Sequence, residues 1–319
     1  MIRTLSLRTE LLAALWIGML AFGLFILSAA RAVLIPLVFA IMLWVLFNGL
    51  SKVFSGIRLG PVGVPRWLAY TLSALTILAA TTVVVRIISM QLFAFIRSLP
   101  RYQARLEETL AALLARFDIQ ITGEWQSLMA DIDLPGFATG VAGSLGSFAT
   151  SLTLVLLFFA FLLAEQRHFA RKLAHLFPEP SRYGQVEELL ERIAQTVQIY
   201  LRVKTITSAL TAVISYLILR AVDLDFAAIW ALLIFFLNFI PNIGSFIATT
   251  APTLLALVQF STIEPFLVVL LGVGSVQLLV GSALEPALMG RSLNLSGLVI
   301  ITCLVIWGVL WGIAGLFLA

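Results

Sequence analysis

The stretch that decides the fold runs from Phe226 to Phe260 and reads FAAIWALLIFFLNFIPNIGSFIATTAPTLLALVQF. Its two apolar arms hold about 13–15 residues each, whereas a helix that crosses a bilayer needs roughly 20. Between the arms, Pro241 lacks an amide proton and Gly244 tolerates left-handed backbone, so we expect the helix to break there. Broken backbone at membrane depth is stable only where protein buries it or where it lines a watery cavity. The stretch therefore predicts a re-entrant hairpin with a translocation site; the alternative is a proline-kinked helix pair with a purely structural role.

The composition is typical of a helical membrane protein. Hydrophobic residues make up 61% of the 319-residue chain and charged residues 11%, with a mean hydropathy of +1.08. Soluble domains carry roughly 25% charged residues. The apolar runs are far longer than the roughly 10 residues that the strands of an outer-membrane barrel need. We predict an all-α fold, a polytopic helical membrane protein with about seven to eight membrane-embedded segments that include the hairpin.

Several other classes of protein are disfavoured. The net charge is +4 and the pI is near 9.6, but the basic residues lie in short loops, which indicates control of topology rather than nucleic-acid binding. The single Cys303 allows no disulfide framework, and His168 and His175 have no further ligands nearby, so no metal site is expected. No GxxxxGK[ST], HExxH or GxSxG motif occurs, which argues against an ATP-driven transporter or an enzyme.

The distribution of basic residues predicts the orientation. The polar segment 51–66 contains lysine and arginine but no acids, and 165–204 is the densest basic loop. By the positive-inside rule both segments are cytoplasmic, as is the N-terminus. The polar excursion at 97–133 then lies outside, where leucines at helical spacing predict an amphipathic helix.

We divide the chain into four parts on this basis. They are a two-helix hairpin with a basic loop (1–66), a long third helix with the excursion (67–147), two spans joined by a basic helical segment (148–222), and the re-entrant hairpin with the C-terminal transport helices (223–319). The last apolar run, Leu298–Phe317, carries Gly308 and Gly312 at the GxxxG spacing that lets helices approach closely.

Polar residues cluster at the predicted break. Asn238, Asn242 and Ser245 surround Pro241 and Gly244. Side-chain amides and hydroxyls at a broken helix can bind a hydroxylated solute, or share an ion with freed carbonyl groups. The alternative is that they cap the two half-helices, for which asparagine and serine are well suited.

A second group of candidates lies on the flanking segments. Glu285 follows an apolar run, and intramembrane carboxylates mark proton or cation paths, so it is the candidate for ion coupling; it could instead cap a helix or pair with Arg291 or Lys204. Gln277 lies about two helical turns earlier and could line the same route or bond a neighbouring helix. We assign Arg202 and Lys204 to topology, with contact to an anionic ligand as the alternative.

Blocks of the second half follow one another in a characteristic order and spacing. They are Tyr200–Thr205 (YLRVKT), Phe239–Ser245 (FIPNIGS), Pro252, Glu285-Pro286 with Leu288–Gly290, Leu293–Ser296 (LNLS) and Trp307–Gly312 (WGVLWG). Together they resemble the autoinducer-2 exporter family of prokaryotic transporters, best over 148–319. The sequence departs from this family at Gly297, where many relatives have proline, and at Ala319, beyond which relatives continue into a further helix and a cytoplasmic tail.

The resemblance implies a multi-span protein of the prokaryotic inner membrane that exports small solutes, with the quorum-sensing signal autoinducer-2 as the name-giving substrate. It also implies a homo-oligomer with an elevator-like movement of the hairpin, in contact with membrane lipid. We therefore predict a secondary exporter of small solutes that works by alternating access, with no cofactor and with a proton or sodium ion for coupling. The alternatives are a sodium(lithium)/proton antiporter and a non-transporting membrane scaffold built around the 97–133 helix.

Overall fold

The computed structural model describes residues 2–59, 62–116, 134–166, 168–260, 262–289 and 296–318. Most of these residues are helical, and Arg58–Leu59 (β1) pairs antiparallel with Val62–Gly63 (β2). The helices are α1 (Ile2–Ala29), α2 (Arg31–Gly56), α3 (Arg66–Arg116), α4 (Leu134–Glu165), α5 (Phe169–Leu176), α6 (Pro180–Ala221), α7 (Ala227–Leu237), α8 (Ile243–Gln259), α9 (Ile263–Leu279), α10 (Glu285–Met289), α11 (Gly297–Trp311) and α12 (Ile313–Leu318). A π-helical turn, Val280–Leu284, joins α9 to α10.

Within the described ranges, four helical segments are long and apolar enough to cross a membrane. They are Arg31–Gly56, Arg66–Ser98, Pro180–Ala221 and Ile263–Met289. Shorter apolar helices, of 10–17 residues, accompany them at Ala14–Ala29, Ala149–Glu165, Ala227–Leu237, Ile243–Gln259 and Gly297–Trp311. The prediction of an all-α, multi-pass membrane protein is confirmed.

Two helices are longer than the sequence pattern indicated. α3 continues for 51 residues, through Pro100 and into the predicted excursion, and α6 continues for 42 residues from the basic segment into the predicted fifth span. The polar residues between these parts do not interrupt the helices, since most of them are good helix formers. The rest of the excursion, residues 117–133, lies outside the described residues.

The chain divides into two compact units. The larger consists of Trp44–Thr150 and His168–Asn294, and the smaller of Met1–Leu43, Ser151–Arg167 and Leu295–Ala319. In the larger unit, α6 packs against α7 and α9, and α8 packs against α7 and α9. Their shared apolar core consists of Ala212, Leu219, Leu224, Ala227, Ile234, Ala248, Ala256, Val269 and Val273. The four-part division drawn from the sequence stays a prediction.

The smaller unit contains a helix break that the sequence did not predict. The last apolar run ends its first helix, α11, at Trp311 and turns at Gly312, whose φ of +61° favours glycine. α12 then packs back on α11. Gly315 lies so close to the carbonyl oxygen of Trp307 that a Cβ would stand 1.8 Å from it. Gly312 thus ends a helix here, instead of acting as the second glycine of a continuous GxxxG face.

Candidate functional site

The helix break lies at residues 238–242, between α7 and α8. The amide of Ile243 donates to the carbonyl of Pro241 at 2.6 Å, and Asn242 between them has φ 59° and ψ −55°. This is the γ-turn with positive φ, a rare and strained form. Left-handed backbone at a non-glycine residue costs about 1–3 kcal/mol and persists only where the surrounding structure holds it.

Gly244 serves the break in a different way from the one predicted. The residue with positive φ is Asn242, whereas Gly244 lies inside α8 without positive φ, so the break does not use the tolerance for left-handed backbone on which we based the expectation. A Cβ at Gly244 would lie 1.7 Å from the carbonyl oxygen of Leu237 and 3.2 Å from the Cβ of Ile240. The glycine is needed because the first turn of α8 approaches the last turn of α7 with no room for a side chain.

The polar residues of the break lie in different environments. Asn238 follows the end of α7 with a residue exposure of 9%, and its Oδ1 is buried with no hydrogen-bond partner. Asn242 is exposed and precedes α8, but its side chain makes no capping hydrogen bond. Ser245 is half-buried in the first turn of α8, where its carbonyl accepts a hydrogen bond from Thr249 at 3.0 Å. Side-chain capping, the alternative function for Asn242, is therefore not what this residue does.

A buried polar face runs along α6, which packs against α7 and α9. Its members recur at helical spacing and face the packed interior: Lys204, Thr207, Ser208, Thr211 and Ser215, none more than 7% exposed. Thr207 and Thr211 donate to carbonyl groups one turn earlier, at 3.0 and 2.9 Å. The hydroxyl oxygens of Ser208 and Ser215 have no partner. A row of polar side chains on the inner face of a membrane-spanning helix is costly unless something bonds them.

Unpartnered polar atoms also lie on the helices that pack against α6. Gln277 on α9 is 8% exposed, and its Nε2 has no hydrogen-bond partner. Nε1 of Trp230 on α7 is also buried without a hydrogen-bond partner. In all, the buried side-chain atoms without a hydrogen bond in the described ranges belong to Thr205, Ser208, Ser215, Trp230, Asn238 and Gln277. All six therefore lie on α6, α7, the break or α9. Such groups are rare in folded proteins, because each costs about 1–3 kcal/mol.

The polar face of α6 ends in a buried ion pair. Nζ of Lys204 lies 2.5 Å from Oε1 of Glu285, and the side chains are 8% and 20% exposed. Glu285 thus has the partner that the sequence left open between Lys204 and Arg291; Arg291 lies outside the described residues. Arg202, the other residue assigned to topology, is exposed. The pair joins α6 to the start of α10.

The π-helical turn sets the direction of Glu285. The amide of Glu285 donates to the carbonyl of Val280, five residues earlier. At 3.6 residues per turn, eight α-helical residues from Gln277 to Glu285 would leave the two side chains about 80° apart. The π turn accommodates one extra residue and turns Glu285 back by about 100°, to within about 20° of Gln277. Both side chains therefore face the α6 side of this segment.

Comparison with known proteins decides the family. The sequence model of the family described as "AI-2E family transporter" matches residues 14–319. The chain belongs to the AI-2E transporter family. It is 31% identical over 309 residues to the AI-2 transport protein TqsA of Escherichia coli, a match that covers 95% of this chain and 87% of TqsA. It is also 30% identical over 300 residues to a Haemophilus influenzae protein named "Putative transport protein", with 91% and 84% of the two chains covered.

Membership of the AI-2E family fixes the broad activity. Members of the family are transporters, so the chain is a membrane transport protein and not an enzyme. The resemblance inferred from the sequence blocks is confirmed, and it extends beyond the second half to nearly the whole chain. YhhT of Escherichia coli, another relative, is 30% identical over 295 residues and is covered to 82% of its length.

Sequence reasoning about this AI-2E transporter missed part of the site. Ser208, Ser215 and Trp230 were not among the candidates. The two serines could have been found from their spacing with Lys204 and Thr211, which repeats every three or four residues on one helical face. Trp230 and the π turn carry no comparable signal, because an apolar run containing tryptophan is ordinary in a membrane helix and π turns have no fixed sequence pattern.

Proposed function

We propose that this AI-2E transporter moves a small polar solute by alternating access around the break between α7 and α8. The observation that carries the proposal is the set of six buried, unpartnered polar atoms on α6, α7, the break and α9. Buried donors and acceptors without partners destabilise a fold, so their retention in one assembly indicates that they bond something other than protein.

The types of these groups favour a neutral, hydroxylated solute. Hydroxyls of Ser208 and Ser215 can donate and accept, Oδ1 of Asn238 accepts, and the nitrogens of Gln277 and Trp230 donate. A polyol or a sugar-like molecule offers both donors and acceptors around an uncharged body. TqsA is named an AI-2 transport protein, and a hydroxylated signal of that kind fits the same chemistry. We propose Asn238 and Gln277 as pathway residues, with Pro241, Asn242, Gly244 and Ser245 shaping the break.

The Lys204–Glu285 pair is the proposed coupling element. Lys204 is buried and Glu285 half-buried, and protonation of Glu285, or a sodium ion bound to its carboxylate, would release Lys204 from the pair. Release would change the contact between α6 and α10, and with it the position of the segment that carries Gln277. An imposed proton or sodium gradient would then drive solute movement.

The remaining parts of the proposal concern the cellular setting. We propose a multi-pass protein of the prokaryotic inner membrane with a cytoplasmic N-terminus, because the basic segments 51–66 and 165–204 would then lie inside. We propose a re-entrant course for α7 and α8, which have 11 and 17 residues and are each shorter than the roughly 20 that a span needs. Export as the direction, and assembly as a homo-oligomer in contact with lipid, follow the family resemblance.

A sodium(lithium)/proton antiporter is the second candidate, and the half-buried Glu285 favours it. A carboxylate paired with lysine in a membrane protein can exchange cations without any organic solute. The two candidates differ in what crosses the membrane: the first moves a labelled solute, and the second gives only a cation-dependent change of internal pH. Family membership in turn favours transport over the scaffold alternative.

The test is flux in proteoliposomes under an imposed proton or sodium gradient, with internal pH and a labelled polyhydroxylated solute followed together. We expect gradient-driven solute flux that falls at least tenfold in Gln277→Leu and in Glu285→Gln. The matched controls are Gln195→Leu and Glu188→Gln, which change exposed residues of α6. Cation-driven pH change without solute flux would instead establish the antiporter. Flux of neither kind would overturn both candidates.

A further inference from the structure

A hydrogen-bonded network lies at the ends of α7 and α8 that are farthest from the break. Gln259, the last residue of α8, accepts from the amide of Asp225 at 2.8 Å and donates to the carbonyl of Asp223 at 2.9 Å. Arg105 of α3 donates to the carbonyl of Gln259. The hydroxyl of Tyr102, also on α3, donates to Oδ2 of Asp225 at 2.5 Å. We call Tyr102, Arg105, Asp225 and Gln259 the latch.

The latch holds a strained turn. Between α6 and α7, Asp223 has φ 54° and Phe226 has φ 60°, and neither is glycine. Each left-handed residue of this kind costs of order 1–3 kcal/mol and persists only where its surroundings hold it. The side-chain amide of Gln259 bonds two backbone groups of this turn, and the ring of Phe226 meets Phe95 edge-on at 5.4 Å and Tyr102 at 6.3 Å. Contacts from α3 and α8 therefore keep the turn in this conformation.

The latch connects three elements of the larger unit. α3 contributes Tyr102 and Arg105, the turn before α7 contributes Asp225, and the end of α8 contributes Gln259. The first two lie just beyond Ser98, where the apolar part of α3 ends. α3 also packs along α7 and α8 themselves. The two helices that flank the break are thus fixed at their far ends to one long helix.

We propose that Tyr102, Asp225 and Gln259 are positioning residues whose latch holds the α7–α8 pair in one conformation, and that the latch opens when the pair moves. The strain in the turn favours this role. A turn held in an unfavourable backbone conformation relaxes when the contacts that hold it are broken. The proposal rests on the proposed movement of the break. It adds the residues that restrain this movement, and these lie outside the proposed solute pathway.

The test measures exposure of the break without any solute. In a Cys303→Ala background, which removes the single cysteine, Ser245→Cys is labelled with a membrane-impermeant maleimide applied to either side of proteoliposomes. We expect Tyr102→Phe and Asp225→Ala to change the labelling rate on at least one side by threefold or more. Asp225→Asn keeps an oxygen that accepts from the tyrosine hydroxyl, so we expect a labelling rate within twofold of the parent.

The control for the loss of a hydroxyl is Tyr70→Phe, the same change on the same helix. Tyr70 stacks on Phe47, and a 1.5 Å rise over 32 residues puts it about 48 Å along the helix from Tyr102. Unchanged labelling in both latch variants, or an equal change in Tyr70→Phe, would overturn the proposal. If Tyr102→Phe fails to fold, the comparison of Asp225→Ala with Asp225→Asn decides in its place. Because labelling needs no substrate, a negative result for the latch can be distinguished from an absence of solute flux.

Discussion

Nζ of Lys204 lies 2.5 Å from Oε1 of Glu285, and this contact joins two residues that are 81 positions apart in the chain. Taking both charges out of water costs several kcal/mol per ion, so such a pair adds little net stability compared with well-packed apolar side chains. Its presence in an otherwise apolar chain is better explained by a task that needs charge than by folding. Variants of this pair should therefore affect the stability of the fold and the transport activity differently, and both effects can be measured.

The first prediction concerns this pair. Lys204→Met or Glu285→Leu alone leaves one buried charge unpaired, which should lower the free energy of unfolding by about 3–5 kcal/mol. The double variant should regain most of this stability and still give no gradient-driven flux. Unfolding in detergent and flux in proteoliposomes measure the two effects. The exposed pair Arg192–Glu188 is the control, since its loss should cost less than about 1 kcal/mol. Parental flux in the double variant would exclude the pair from coupling.

The second prediction concerns the π turn. Insertion of one alanine after Ser282, an exposed residue of the turn, lengthens the segment by one residue and should rotate Glu285 by about 100° away from Lys204. We expect flux as low as in Glu285→Gln. Gly281→Ala keeps the length of the turn and adds a methyl group into open space, so it should transport normally. Normal flux in the insertion variant would mean that the direction of Glu285 is unimportant.

The third prediction concerns the close approach at Gly244. Gly244→Ala would place a Cβ 1.7 Å from the carbonyl oxygen of Leu237, a backbone atom that cannot move without a shift of the main chain. We expect a loss of about 3 kcal/mol or more in stability, at or above the usual range for overpacking. Gly274→Ala is the control, because its Cβ would meet only Thr249 Cγ2 at 3.7 Å. Thermal unfolding of the two variants tests this, and equal stability would contradict the geometry.

The fourth prediction concerns the unpartnered Asn238. Asn238→Leu removes the buried Oδ1 without a partner, so we expect stability to rise by about 1 kcal/mol while solute flux falls at least tenfold. Asn48→Leu is the opposite case: its side chain donates to the carbonyl of Trp44 at 3.0 Å, so its loss should not raise stability, and flux should persist. Unfolding curves and flux measured on the same preparations distinguish them. A less stable Asn238→Leu would show that the asparagine is bonded in the folded protein.

The sequence predicted the class of fold and the position of the break, because both depend on local properties. Apolar length decides which segments can span, and Pro241 lacks the amide proton that a continuous helix needs at its position. The role of Gly244 could not be predicted, since a requirement for close approach depends on where Leu237 lies across the turn. A local sequence pattern identifies the glycine. It does not show whether the position requires glycine because of its backbone angle or because there is no room for a side chain.

The candidate site was only partly predictable for a related reason. Asn238, Gln277 and Glu285 were named because polar residues in apolar runs stand out. Which of them would be bonded and which would be unpartnered depends on packing across α6, α7 and α9. The latch was missed because Tyr102, Asp225 and Gln259 are ordinary polar residues of loops and helix ends, far apart in the chain.

The fifth prediction concerns pH. Burial, and then the hydrogen bond to Asp225, raises the pKa of Tyr102 above its ordinary value near 10. A raised pKa in the folded state means that the stability from the neutral hydroxyl is fully present below pH 10. That stability is lost only as the pH rises through the higher folded value. We expect the labelling rate at Ser245→Cys, corrected for the reactivity of the thiol, to stay constant between about pH 6 and 9. A step in this range that Tyr102→Phe abolishes would show that Tyr102 titrates there.

The unbroken course of α3 has a mechanical consequence. At 1.5 Å per residue its 51 residues extend about 76 Å, more than twice the roughly 30 Å of the hydrocarbon layer. A helix of this length acts as a stiff rod, and Tyr102 and Arg105 attach the turn before α7 and the end of α8 to it beyond the apolar part. A force applied to the projecting end of the rod would act through a lever arm on these attachment points. Tension or torque outside the bilayer would thus reach the α7–α8 pair directly, without passing through the lipid.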